Sequence, residues 1–110
     1  MNIKTIVDNL ELEVITGNEW LEREVTHGFV GDLLSVVMGK AEEGCAWVTV
    51  QSHINIVAVA ALVSAACIIV SEGFTIDEEA IAKATEEEVV LLSSKESSYE
   101  ICKKLSQLGC

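Results

Sequence analysis

The stretch VTHGFVGDLLS, residues 25–35, decides how the chain is read. It opens on a β-branched residue, passes through a polar segment punctuated by glycine, and sets Asp32 just ahead of an apolar helical pattern. A strand hands over to a helix in this way in ligand-binding α/β domains. The expectation is a strand over EREVT (22–26), a turn, and a helix from Leu33 to about Ala41. Asp32 is expected to cap that helix, and Leu33, Val36 and Val37 to form its buried stripe.

The same alternation extends in both directions. NIKTIVDNL places Ile3, Ile6, Val7 and Leu10 at helical spacing, and LEVITG alternates as a strand that stops at Gly17. Beyond residue 41, EEG breaks the helix and AWVTVQ (46–51) reads as a strand. Residues 55–64 follow as a helix capped by Asn55, and 66–70 as a buried strand. SEGFT is a loop, and Asp77 opens the helix EEAIAKATEE, whose acidic first turn suits the positive end of the helix dipole. VVLLSS is a strand, and a last helix over about 97–108 stops at Gly109. Strands alternating with helices predict an α/β fold: a single domain, residues 1–110, with a mainly parallel sheet of about five strands flanked by helices.

Composition narrows the function classes. Of 110 residues half are apolar, enough for a core without disulfides or metals, while aromatics make up 5% and proline is absent. The net charge of -11 repels a phosphate polymer, so nucleic acid is not an expected partner. Four cysteines, Cys45, Cys67, Cys102 and Cys110, lack the spacing of a zinc site. Cys67 is expected to be a buried hydrophobe and Cys110 an exposed thiol in a reducing cytoplasm. Met1 leads directly into a polar segment, so no signal peptide is expected. The apolar run 54–70 lacks basic and aromatic anchors, and splits more easily into helix and strand than it spans a membrane.

Parallel sheets bind ligands at the C-terminal ends of their strands, where helix N-termini present free N–H groups. The junctions there are polar. The first holds Thr26, His27, Gly28, Gly31 and Asp32; the second Gln51, Ser52, His53 and Asn55; the third Ser71, Glu72 and Gly73; the fourth Ser93, Ser94 and Ser97. The first three supply the candidate ligand-binding residues, and His27 and His53 are expected to face one crevice. No P-loop, no GxGxxG, no GxSxG elbow and no assembled nucleophile and base stand in the sequence, so no catalytic residue, metal or cofactor is assigned. The acidic runs at 42–43 and 86–88 read as solvated helix ends.

Taken in order, EREVTHG, FVGDLLSVVM, WVTVQSHINIVAVAAL and IIVSEGFTIDEEAIAKATEEEVVLLSS resemble the DRTGG domain family over about residues 1–108. Glu22, Arg23, Thr26, His27 and Gly28 stand at the run that names the family, with Glu22 in place of its Asp and His27 in place of its first Gly. The resemblance implies a fold like the N-terminal domain of HPr kinase/phosphorylase, without the kinase chemistry, which belongs to a separate P-loop domain. It implies a regulatory, homodimeric module in bacterial metabolic or redox regulation. Such a module would sense a small anionic or nucleotide-like ligand or dock a protein partner. The alternatives are a structural interaction subunit without a small ligand, and an enzyme acting on a phosphorylated metabolite.

Overall fold

A computed structural model describes residues 1–110. The chain runs α1 (Ile3–Leu10), β1 (Glu13–Thr16), a 3-10 turn at Asn18–Trp20, β2 (His27–Val30), α2 (Leu34–Lys40) and β3 (Cys45–Thr49). It continues as α3 (Asn55–Val63), β4 (Cys67–Val70), α4 (Glu78–Glu86), β5 (Leu91–Ser93) and α5 (Ser98–Gln107). The five strands form one sheet in the order β1-β5-β4-β3-β2, with β1 antiparallel to β5 and every other pair parallel.

The topology follows from handedness. From β2 to β5 each crossover steps to the adjacent strand in the same direction, and right-handed crossovers that all step one way put their helices on one face. Accordingly α2, α3 and α4 cover one face through Val37, Ile56, Val57, Ala60, Ala80 and Ala84. The other face is left to α1 and α5, which pack Ile3, Ile6, Leu10, Ile101 and Leu105 onto it. The strands divide their residues with period two: Ala46, Val48, Cys67, Ile69 and Leu92 toward α1 and α5, and Cys45, Trp47, Ile68, Val70 and Leu91 toward the other layer. Every residue of β3 and β4 is buried, which is why their sequences are apolar without alternation. The run 54–70 is thus a nine-residue helix and a four-residue strand, and no helix is long and apolar enough to cross a membrane.

Two expectations at the opening stretch are corrected. EREVT is not a strand: Glu24 makes only an isolated bridge to Asn2, Arg23 lies over the Trp20 ring, and the strand begins at His27, just past the end of the expected one. The segment read as a turn is therefore mostly β2, whose glycine at 28 weakened its strand pattern. The predicted apolar stripe of α2 also fails in part. Val37 is fully buried, but Leu33 and Val36 are 66% and 41% exposed, because a seven-residue helix beside an edge strand has a neighbour on one flank only.

At the β1–β5 pair the register slips between Val14 and Thr16. The buried Thr16 hydroxyl fills the gap, donating to the Val89 carbonyl at 2.8 Å and accepting from the Leu91 N–H at 3.1 Å. Thr16→Val keeps the shape and removes both partners. It is expected to lower unfolding free energy by about 1–3 kcal/mol in urea titration, with Thr16→Ser recovering most of the loss.

Candidate functional site

The C-terminal ends of β2 to β5 form one polar rim, and its loops are tied to each other. Asp32, just past β2, reaches across to β3: its Oδ1 accepts from Thr49 Oγ1 and from the Val50 N–H, both at 2.8 Å. Gln51 Nε2 returns to the Asp32 carbonyl at 3.0 Å. Asp32 therefore does not cap α2, whose N-cap position is Leu33 with no side-chain bond. The carboxylate is taken by donors at the adjacent strand end. Asn55 likewise is not a cap: it is the first residue of α3, with Ile54 ahead of it.

Further along the rim, His53 Nδ1 meets Asp77 Oδ2 at 2.7 Å, a geometry in which Nδ1 donates, and the Asp77 N–H donates to the Ser52 carbonyl at 3.1 Å. Both side chains of that pair are open to solvent. Ser71 is fully buried and its hydroxyl pairs with that of Ser98 at 2.6 Å. Glu72 has a left-handed backbone, φ 64°, and its Oε2 accepts from the Ser98 N–H at 3.2 Å. Ser97 caps the same helix by accepting from the Glu100 N–H. The N-terminus of α5, the natural anion site on this rim, is thus filled by the chain's own acceptors.

Thr26, His27 and Gly28 lie elsewhere. His27 pairs with Cys45 at the start of β3, so these three sit at the N-terminal edge of the sheet, a strand's length from His53. The two histidines do not share a crevice. Thr26 Oγ1 donates to the Glu43 carbonyl at 3.0 Å and meets His27 Nδ1 at 2.8 Å, a local turn bond next to Gly44. The misplacement follows directly from taking residues 22–26 as the strand.

The main cavity on the rim, about 540 Å³, lies between the loop after β4 and the loop after β5. Gly73, Phe74 and Thr75 form one wall, Ser93, Ser94 and Lys95 another, and Glu11 and Glu13 close it from the β1 side. Of the predicted ligand-binding residues only Gly73 lines it. Phe74 sits in SEGFT, whose pattern is that of a plain loop, and nothing in the sequence shows that β1 returns beside β5 to bring Glu11 and Glu13 here. At its edge Lys104 bonds Glu96 at 2.6 Å, which holds the ammonium above its ordinary pKa.

All four cysteines are free. Burial raises the pKa of Cys45 and of Cys67, which is inaccessible. Cys110 is not exposed as expected but half-buried, its thiol 3.5 Å from Met1 Sδ, because the chain turns at Gly109 and the Cys110 N–H bonds back to the Leu105 carbonyl. Burial also raises the pKa of Cys110 and Cys102.

Two outcomes follow. Asp32→Ala should lower stability by about 1 kcal/mol while hydrogen exchange in α2 is unchanged; a cap would instead fray that helix. With a thiol reagent on the native protein, only Cys102 and Cys110 should react. Because the thiolate is the nucleophile and burial disfavours it, both rates should be slow at pH 7 and still climb above pH 9.

Among curated proteins none matches this chain. Its fold is that of a crystal structure of the CBS and DRTGG domains of the regulatory region of Clostridium perfringens pyrophosphatase, complexed with the activator diadenosine tetraphosphate. That match has a TM-score of 0.74 at 18% identity and covers 94% of this chain but 46% of that one, so the present chain spans a little under half its length. The DRTGG domain model matches residues 5–108, and the chain belongs to the DRTGG domain family.

Proposed function

We propose that this chain is a non-enzymatic regulatory module, homodimeric and cytoplasmic, that senses a small nucleotide-like ligand in the cavity between the β4–α4 and β5–α5 loops. The observation that carries this reading is where the cavity lies. The chain leaves β4 toward the face covered by α4 and leaves β5 toward the face covered by α5, so the two loops part on opposite sides of the sheet. Open α/β sheets bind ligands where successive connections diverge in this way. A volume of about 540 Å³ falls within the range of small-molecule sites.

The lining suits a nucleoside better than a bare phosphate. Phe74, 52% exposed, offers a ring on which a base can stack. Glu11 and Glu13 accept from amino and hydroxyl groups, and Lys95 supplies the positive charge for a phosphate. The activator in the similar pyrophosphatase regulatory region is a dinucleoside polyphosphate, which supports the same ligand class here.

Thermal unfolding with adenosine, AMP, ATP and diadenosine tetraphosphate tests the reading. A ligand that binds the native state only, at 100 times its Kd, adds about 2.7 kcal/mol. Stabilisation by at least one of them, lost in folded Phe74→Ala and Lys95→Ala variants, is the expected result. No shift with any of the four overturns the nucleotide reading, and a shift that both variants keep moves the site away from this cavity.

A further inference from the structure

We propose that two copies of this chain pair through the open edge of β2, antiparallel and centred on Phe29, so that Val30 of each copy enters the apolar notch beside Gly28 of the other. The inference rests on the homodimer reading above and gives it a surface.

β2 is a terminal strand of the sheet, so one side of it has no partner. The Gly31 N–H donates to the Val48 carbonyl at 3.1 Å, which directs Gly31 and Phe29 toward β3. By alternation the N–H and C=O groups of Gly28 and Val30 point outward along the free edge. Native edges are protected by charge, proline or bulges, yet HGFV carries none of these and pairs with β3 in unbroken register.

The side chains add a matching hole and knob. A Cβ at Gly28 would be no nearer than 3.8 Å to Leu105 and 3.9 Å to Cys110, so its absence leaves room. The notch there measures about 160 Å³, with Cys102, Leu105 and Cys110 of the α5 layer as its floor. Val30 projects from the same face two residues on, 54% exposed. In an antiparallel pair centred on Phe29, Gly28 of one copy lies opposite Val30 of the other, with both on one face. Those two residues also hold the outward N–H and C=O groups, so they exchange both backbone bonds, and the two-fold axis repeats the exchange.

Charge selects a second copy as the occupant. The chain carries -11, and two copies repel each other across most approaches. Between Val25 and Gly39 the only charged residue is Asp32, which is already held by Thr49 and Val50. The edge strand HGFV itself brings no carboxylate to the pairing.

Sedimentation equilibrium on the 110-residue chain, with hydrogen exchange on β2, tests the proposal. The expected result is a species of twice 11.9 kDa with the Gly28 and Val30 amides protected. Val30→Lys and Gly28→Val, each folded by circular dichroism, should weaken association at least 100-fold and release that protection. Leu62→Lys, at a 69% exposed position on α3, should leave the dimer intact. A parent chain that is monomeric at about 100 μM overturns the dimer and this surface together. A dimer that persists in Val30→Lys, or that only Leu62→Lys breaks, overturns this surface and leaves the dimer reading standing.

Discussion

The burial of β3 and β4 on both faces is the constraint on which the rest of the structure depends. All nine of their residues are inaccessible, and the largest, Trp47, is fully enclosed with its indole N–H donating to the Gly31 carbonyl at 2.9 Å. A parallel pair of this kind must be roofed on each side, because uncovered apolar strands would meet water. The three crossover helices can roof only one face, since their shared handedness puts them together. Helices α1 and α5, which lie outside the crossovers at either end of the strand sequence, close the other. The Trp47 bond then fixes the end of β2 against β3, and with it the position of Asp32.

A sheet sealed this way leaves function to its margins. Most of the polar groups on the C-terminal rim are used up in tying loops together: Asp32 to Thr49 and Val50, His53 to Asp77, Ser71 to Ser98, Glu72 to the start of α5. These bonds give the rim a fixed shape. The cavity opens only where α4 and α5 part to opposite faces. The cavity therefore lies toward one margin, and the opposite one, β2, faces outward with an apolar notch beside it. The two are separated by the width of the sheet, with the fully buried β3 between them and the notch strand packed against it.

The sequence by itself determined the order and type of nearly every element, because each long apolar pattern carries its own period. The alternation of strand and helix, the buried character of 66–70, the stop at Gly109 and the family resemblance were all legible there. The exception was β2, where a glycine and a histidine interrupt a four-residue strand and local pattern was too short to locate it; the residues ahead of it, with better strand propensity, drew the assignment instead. The partners of side chains were another matter. Asp32 and Asn55 had the right chemistry and position for caps, but Asp32 took donors from a neighbouring strand that is 17 residues away in sequence. Only the tertiary structure decided that His27 and His53 lie at opposite edges, that β1 returns antiparallel to bring Glu11 and Glu13 beside Phe74, and that the cavity opens where two helices diverge. Period and propensity act over a few residues, whereas those placements depend on strand order and crossover handedness, which no local stretch of the chain contains.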